Sequence, residues 1–321
     1  MRYHLKNPAY RQRSRRAARA IAAHPGRPDC ILQIGATFEP IHRGNLPYAV
    51  FSDSNIHMSL EGSKYGVSDA VWLQPAEFDA IRRRETRLYR DACVVFTISD
   101  YLRRSFVEDF GLERDRVCTV GAGPNLDLGR VPEPRIAPWN QVPTVLFVGK
   151  QFERKGGTVL LAAFRIVRAR RPSTRLVIVG PPTQPASEPG VEWLGTLDKN
   201  RPEEWARLGA AYRESDVFCV PTLFEPFGIA VLEAMFFGLP CVGTAEWAIP
   251  EMIVDSETGY TVPRGDVTTL ADRLSRLLGD QPQAHRMGLA GRRRAEERFS
   301  WSAVAARMGA RLERCLGLSS L

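Results

Sequence analysis

Short apolar runs alternate with longer helical stretches along almost the whole chain, in two successive series. In the first series, helical stretches at 79–92 and 100–110 separate runs that predict strands at 29–35, 47–51, 93–98 and 116–120. Strands that alternate with helices are typical of a parallel sheet covered by helices on both faces. The first series therefore predicts an α/β lobe.

The segment 121–143 interrupts this alternation. It is rich in glycine and proline, which break regular structure, and it therefore predicts a domain boundary. The second series that follows predicts strands at 144–148, 175–179, 191–194, 216–220 and 240–243. Its predicted helices lie at 157–171, 202–213, 228–237, 267–278, 283–298 and 302–316.

This organisation predicts two doubly wound parallel-sheet lobes of the α/β class, over 1–143 and 144–302. A helix over 303–321 is expected to pack back on the first lobe. Ligands of open parallel sheets bind beyond the carboxyl ends of the strands. We therefore expect the ligand site in a cleft that the two lobes face.

Positive charge is concentrated at the start of the chain. The whole sequence has 44 Lys and Arg against 36 Asp and Glu, a net charge of +8, and residues 1–28 contain eight basic and no acidic residues. The remainder is therefore neutral, which disfavours a nucleic-acid-binding protein with a basic folded body. Arg19 interrupts the apolar run 17–23, which argues against a secretory signal. A solvated helix, a serine-poor transit peptide and a helix on an anionic membrane surface remain as alternatives.

The hydropathy and the cysteines indicate a cytoplasmic protein, with peripheral contact to an anionic membrane as an alternative. No apolar run reaches the ~18 residues that a membrane-spanning helix needs. The six cysteines are scattered, without a CxxC motif. Four of them lie in or beside predicted strands and are expected to be small buried residues in a reducing compartment: Cys93, Cys118, Cys219 and Cys241.

The turn after the strand at 144–148 contains two of the five lysines in the chain, Lys150 and Lys155. An ammonium group is a good partner for a phosphate. Gly156 and Gly157 permit close approach of a ligand to the backbone at a helix start. The turn therefore predicts a phosphate-binding site, and the alternative is that both lysines are solvated loop residues.

Two glutamates flank the start of the helix predicted after the strand at 216–220. Pro226 favours an extended conformation for Glu225 and so places it on the loop. Gly228 then opens a helix whose free N–H groups suit a diphosphate. Glu233, inside that helix, could accept both hydroxyls of a ribose. Glutamates eight residues apart are also common by chance, so an exposed pair is the alternative.

Together these residues resemble the signature of a known family. Glu225 and Glu233, with Pro-Phe-Gly between them, are similar to the E-x7-E motif of the retaining family 4 (group 1) glycosyltransferases, which have the two-lobed GT-B fold. The resemblance is dense over 144–302 and looser over 29–130. It includes Gly149 to Gly156, 177–180, 191–195, Pro250-Glu251, Thr258-Gly259 and 299–301.

The resemblance implies roles for these residues. Glu225 would contact the hydroxyls of the donor sugar, Glu233 the ribose, and Lys150 with Lys155 the diphosphate. The other donor-binding positions implied are Gly149, Gly180, Phe227, Gly228 and Ile229. Negative charge that develops on the departing phosphate would be stabilised by the lysines and the helix N-terminus. No carboxylic general acid is then needed.

The resemblance also implies a reaction and its partners. A hexosyl group would pass from a UDP- or GDP-linked sugar to a saccharide, lipid or small-molecule acceptor, with retention of anomeric configuration. No metal, cofactor or nucleic acid is expected. Two alternatives are a GT-B fragment that binds a nucleotide without transfer and a membrane-surface module led by the basic segment.

Several positions depart from the family pattern. Lys150 stands where the family more often has arginine, and Trp247 stands in a turn that is commonly glycine-rich. No strand with a glycine-rich loop precedes Asp29, so the first lobe is expected to be incomplete. Asp53, after the strand at 47–51, is a candidate residue of the cleft, and His57 is expected to lie on the surface.

Overall fold

The computed structural model describes residues 7–26, 28–39, 46–68, 70–134, 142–181 and 188–317. The chain forms two compact units: unit 1 is the part up to Ala122 together with the part from Val304, and unit 2 is Gly123–Ala303. The sequence analysis places the division later, at residue 143. The first residues of the glycine- and proline-rich segment belong to unit 2 because the carbonyls of Pro124, Asn125 and Pro132 accept hydrogen bonds there.

Unit 1 contains a four-stranded parallel sheet in the order β1-β2-β3-β4. Its strands are Ile31–Ile34 (β1), Tyr48–Ser52 (β2), Val94–Thr97 (β3) and Val117–Thr119 (β4). Its first helices are Asn7–Ala22 (α1), Ile56–Ser63 (α2), Pro75–Asp91 (α3) and Asp100–Glu108 (α4). The central strands β2 and β3 are apolar on both faces and almost fully buried, whereas Leu32 and Ile34 of the edge strand β1 are exposed.

Helix α1 is packed into unit 1 through Ala9, Tyr10 and Ser14, which are all buried. The guanidinium of Arg84 lies 3.9 Å from the centroid of the Tyr10 ring, and the Ser14 hydroxyl accepts a hydrogen bond from the Glu39 amide at 2.9 Å. The basic segment at the start of the chain therefore contains a helix whose apolar side is used inside the unit. That side is not left free for a membrane surface.

Unit 2 contains a six-stranded parallel sheet in the order β10-β9-β8-β5-β6-β7. Its strands are Thr144–Val148 (β5), Arg175–Val179 (β6), Val191–Gly195 (β7), Val217–Val220 (β8), Cys241–Thr244 (β9) and Gly259–Val262 (β10). Its helices are Gly157–Arg170 (α5), Pro202–Arg213 (α6), Ile229–Phe236 (α7), Ile249–Met252 (α8), Val267–Gly279 (α9) and Gln281–Phe299 (α10). The last helix, Trp301–Leu316 (α11), starts in this unit and continues into unit 1.

From Val304 onward, α11 packs on the sheet of unit 1. Val304 joins a buried cluster with Val94, Phe96 and Val120, and Arg307 donates a hydrogen bond to the Val120 carbonyl at 3.0 Å. Both ends of the described chain therefore contribute a helix to unit 1. Among the described residues, no helix has the length and apolar character needed to cross a bilayer.

The order of the unit 2 strands positions its ligand site. The chain enters the sheet at β5, passes to β6 and β7 on one side, and then returns to β8 on the other side of β5. The chain therefore leaves β5 toward β6 and leaves β8 toward β9, in opposite directions across the sheet. In open parallel sheets the crevice at such a switch point, beyond the carboxyl ends of the strands, is where ligands bind.

Candidate functional site

The loops that follow β5 and β8 are joined by hydrogen bonds. The Leu223 amide donates to the Arg154 carbonyl at 2.8 Å, and the Thr222 hydroxyl donates to the same carbonyl at 3.1 Å. The Thr244 hydroxyl, at the end of β9, donates to the Thr222 carbonyl at 2.7 Å. Three loops at the carboxyl edge of the sheet thus form one connected framework.

Gly156 allows the first two loops to approach each other. Its φ is +76°, in the left-handed region that favours glycine, and it precedes the first residue of α5. A Cβ atom at this position would lie 1.9 Å from the Pro221 carbonyl oxygen. Only glycine fits this contact, so Gly156 is a requirement of the loop geometry.

Lys155 and Glu225 meet across these two loops. Their ammonium and carboxylate form an ion pair, and the Glu225 side chain is 8% exposed. Arg154 adds a second cation, with Nη1 3.9 Å from Glu225 Oε2 and 2.6 Å from the Phe224 carbonyl oxygen. Burial lowers the pKa of Arg154, and the Glu225 carboxylate acts against that shift. The site thus combines one buried carboxylate with two cations.

The N-terminus of α7 lies directly after Glu225. Gly228 has φ +118°, a backbone conformation that residues with a side chain rarely adopt. The first N–H groups of a helix have no acceptor within the helix and attract anions. Ile229, the first residue of α7, is exposed, whereas Phe227 is buried and packs edge-on against Phe299.

Glu233 lies one turn into α7 and is 2% exposed. Its Oε1 forms an ion pair with Lys199, and its Oε2 accepts a hydrogen bond from the Tyr212 hydroxyl at 3.1 Å. Burial raises the pKa of Glu233, while Lys199 and Tyr212 act in the opposite direction. The glutamate is thus held among polar partners inside the unit and is not an exposed helix residue.

The glycines after β5 and β6 allow these strands to end in close contact. Gly180 has φ +122°, and a Cβ atom there would lie 2.6 Å from the Gly149 carbonyl. Lys150 follows Gly149 and is exposed.

Hydrogen bonds from Asn200, together with the charges of Arg201 and Lys150, lower the pKa of the Asp198 carboxyl after β7.

Arg154, Lys199 and Tyr212 were not predicted from the sequence. Lys199 follows β7 and is separated from Glu233 by 34 residues, so no local pattern connects them. The signal that could have found it is the scarcity of lysine, because three of the five lysines lie on carboxyl-end loops of the unit 2 sheet: Lys150, Lys155 and Lys199.

Trp247 departs from the family pattern and adopts a backbone conformation that favours glycine. Its φ is +56°, in the left-handed region that disfavours bulky residues. The ring packs edge-on against Phe224, with centroids 5.7 Å apart, and the Arg264 guanidinium lies 5.5 Å from its centroid. An indole therefore borders the loop that carries Glu225.

The two candidate positions in unit 1 differ in their surroundings. Asp53 follows β2 and is exposed, and its role in ligand binding stays a prediction. His57, expected on the surface, is half-buried, with 27% of its side chain exposed. Its ring packs edge-on against Phe78 of α3 at 5.3 Å and against Phe110 at 5.2 Å. Burial lowers the pKa of His57, against the opposing effect of Asp109.

The arrangement in unit 2 can bind an anion next to two buried carboxylates. Lys155, Arg154, the exposed Lys150 and the α7 N-terminus supply positive charge at one edge of the sheet. Glu225 and Glu233 supply acceptors for hydroxyl groups. Among the described residues, no group of three or more His, Cys, Asp or Glu side chains is arranged to hold a metal ion.

Residues 142–280 match the family model of the glycosyl transferases group 1. A phosphatidyl-myo-inositol mannosyltransferase from Mycobacterium leprae is 35% identical over 225 residues, which are 66% of this chain and 56% of that protein. A D-inositol 3-phosphate glycosyltransferase from Corynebacterium aurimucosum is 29% identical over 252 residues, 72% of this chain and 59% of that protein. The chain thus spans less than two thirds of these relatives.

Solved structures show the same fold. A sucrose-phosphate synthase from Thermosynechococcus elongatus superimposes with a TM-score of 0.70 at 22% identity, over 98% of this chain and 79% of that one. The Anabaena protein HepE, in complex with UDP and glucose, gives a TM-score of 0.59 at 15% identity, over 85% and 78% of the two chains. These likenesses show the GT-B fold.

Proposed function

Because residues 142–280 form a group 1 glycosyltransferase domain, we propose that the chain transfers a hexosyl group from a nucleotide-diphosphate sugar to an acceptor, with retention of anomeric configuration. The observation that carries the proposal is the meeting of Lys155 and Glu225 at the switch point of the unit 2 sheet. This places a cation and a carboxylate together, beside the N-terminus of α7.

The donor is a UDP- or GDP-linked sugar. Its diphosphate binds at the α7 N-terminus, at the amides of Gly228 and Ile229, with Lys155 and Lys150 as cationic partners. Its ribose binds to Glu233, which lies one turn further along the same helix. The complex of HepE with UDP and glucose supports a donor of this kind, since that protein has the same fold.

The charges fit the transition state of the reaction. As the glycosidic bond breaks, positive charge develops on the sugar and negative charge on the departing diphosphate. Lys155 and Arg154 are held against Glu225 in the absence of a donor, and this supports a role for them and the helix N-terminus as preorganised partners of the developing negative charge. Glu225 binds the sugar hydroxyls, and the cations neutralise the diphosphate without a required metal or cofactor.

The acceptor is a saccharide, a lipid or a small molecule that carries hydroxyl groups. The relatives are named for different acceptors, among them an inositol phosphate and a phosphatidyl-inositol. Because these acceptors differ, a panel of hydroxyl-bearing acceptors is needed to identify the acceptor of this chain. The exposed Asp53, at the carboxyl end of β2, is the residue of unit 1 that we propose to contact the acceptor.

Calorimetric titration with UDP and GDP tests the donor site. One of the two nucleotides is expected to bind, and Glu233→Ala is expected to weaken it about tenfold or more, because a carboxylate that accepts a ribose hydroxyl is lost. Asp272→Asn, which removes the exposed ion pair with Arg170, is the matched control and should bind normally. Absence of binding by both nucleotides would overturn the proposal, and binding without sugar transfer would indicate an impaired fragment.

A further inference from the structure

The ammonium of Lys199 joins three separate segments of unit 2. It lies on the loop after the edge strand β7 and forms an ion pair with Glu233 of α7. It also donates a hydrogen bond to the Asn125 carbonyl at 3.3 Å. Its side chain is 28% exposed, so it can still be reached by a ligand at this edge of the sheet.

The partners of Glu233 leave part of its carboxylate free to accept. An ionised carboxylate offers about four acceptor positions on its two oxygens. Lys199 occupies one on Oε1, and the Tyr212 hydroxyl occupies one on Oε2. The backbone amide of Asn125 is a third donor to this carboxylate. About one position therefore remains. A remaining position can accept a hydrogen bond from one hydroxyl group of a ligand.

We propose that Lys199 is a positioning residue that keeps Glu233 ionised and oriented, so that its remaining acceptor position selects a ribose over a 2′-deoxyribose. The inference rests on the proposed function, because it takes Glu233 as the residue that meets the nucleotide ribose. Lys199 acts through Glu233 and is not itself a catalytic residue. Its ammonium holds Oε1 from the β7 side, while Tyr212 holds Oε2 from α6.

The charge balance around Glu233 supports this role. Burial disfavours the ionised carboxylate and raises its pKa, and Lys199 is the largest influence in the opposite direction. The other titratable groups near Glu233 are the Tyr212 hydroxyl and, beyond it, the buried Cys241 thiol. Burial raises the pKa of both groups. Among the described residues, Lys199 is thus the cation that offsets the burial of Glu233.

The test measures the affinity of UDP, GDP and their 2′-deoxy analogues between pH 5.5 and 8.5 in the wild-type chain and in Lys199→Met. The wild type is expected to prefer the ribonucleotide about 10- to 100-fold, the range for hydrogen bonds to a charged group. In Lys199→Met this preference should fall to a few-fold. The pH at which affinity is half lost should rise by about 1–3 pH units, because Glu233 loses its cation.

Lys199→Arg is the conservative control. It keeps the positive charge and should retain both the ribose preference and the wild-type pH profile within a few-fold. A purely structural role would lower affinity without moving the pH profile or the ribose preference. If Lys199→Met folds poorly, Lys199→Gln provides the same loss of charge with a polar side chain, and the same two changes are expected.

The outcomes separate this inference from the proposed function. If the wild type binds neither UDP nor GDP, the proposed donor site is wrong. A second outcome is that the wild type binds UDP or GDP, Glu233→Gln loses the ribose preference, and Lys199→Met keeps the wild-type preference and pH profile. In that case the proposed function stands and the role of Lys199 is overturned.

Discussion

Lys155 and Glu225 are 70 residues apart in the chain, and their side chains form an ion pair between the loops of neighbouring strands. The pair is largely buried, since the lysine and glutamate side chains are 13% and 8% exposed. A buried pair of this kind is a poor source of stability, because both charges must leave water. Its position at the switch point of the sheet indicates a functional use of the two charges.

Glu225→Gln tests that use. The change removes the charge but keeps the shape, so nucleotide affinity should stay within a few-fold of the wild type. Sugar transfer should fall about 100-fold or more, the usual effect of removing one preorganised electrostatic group. Steady-state kinetics with the best donor measure this, with Asp272→Asn as the control. Equal loss of binding and transfer would show that Glu225 mainly supports the loop.

Gly156→Ala tests the approach of the two loops, and Gly265→Ala is its matched control. Both glycines have φ +76°, but a Cβ atom at Gly156 meets the Pro221 carbonyl, whereas one at Gly265 meets nothing within 4 Å. Gly265→Ala should cost about 1 kcal/mol in the free energy of unfolding, from conformation alone. Gly156→Ala should cost about 1–3 kcal/mol more and weaken nucleotide binding. Similar unfolding curves for both variants would contradict this geometry.

Glu85 makes the stability of unit 1 depend on pH. The side chain is buried, it accepts hydrogen bonds from the Ile56 amide and the Tyr89 hydroxyl, and burial raises its pKa to about 7. The folded unit therefore binds more protons than the unfolded chain between about pH 4.5 and 7. Its free energy of unfolding should fall across this window as the pH rises, by on the order of 3 kcal/mol.

Hydrogen exchange of the unit 1 amides measures this dependence. Glu85→Gln should remove it, because the amide side chain does not titrate. Glu108→Gln changes an exposed glutamate of α4 in the same unit and should leave the dependence intact. Equal pH dependence in the wild type and in Glu85→Gln would rule out Glu85 as its source.

Two cysteines should resist alkylation in the folded protein. Cys219 and Cys241 lie on the neighbouring strands β8 and β9, both are fully buried, and burial raises the pKa of both thiols. We expect iodoacetamide at pH 8 to modify Cys118 and Cys315, which are half-buried, well before these two. Peptide mass mapping over time records the order. Early modification of Cys219 would mean that the sheet of unit 2 opens readily.

Local sequence patterns predicted most of the sheet of unit 2. Three elements have the predicted bounds: the strands Thr144–Val148 and Arg175–Val179 and the helix Pro202–Arg213. Each is an apolar or amphipathic run with a proline or glycine at its edge, and these residues interrupt regular structure. The strand Gly259–Val262 was not predicted, since four residues with one polar member form too short a signal. Its pairing with β9 provides the missing stabilisation.

The positions of individual residues were predicted where they depend on the local turn. Gly156, Gly228 and Glu225 lie where the turn pattern indicated, because backbone conformation is encoded locally. The pairing of Glu233 with Lys199 was not predicted, because it depends on the order of strands in the sheet and on how far a side chain reaches across it. Such long-range pairs are determined by tertiary packing.

Proton NMR of a transfer reaction tests the central claim most directly. Wild-type protein is mixed with α-linked UDP- and GDP-sugars and a panel of hydroxyl-bearing acceptors, and the anomeric signals are followed with time. We predict that one donor signal decays while a new α-anomeric signal of the product grows, and that Glu225→Gln slows both changes about 100-fold or more. A product with β configuration, or transfer at the wild-type rate in Glu225→Gln, would contradict the account.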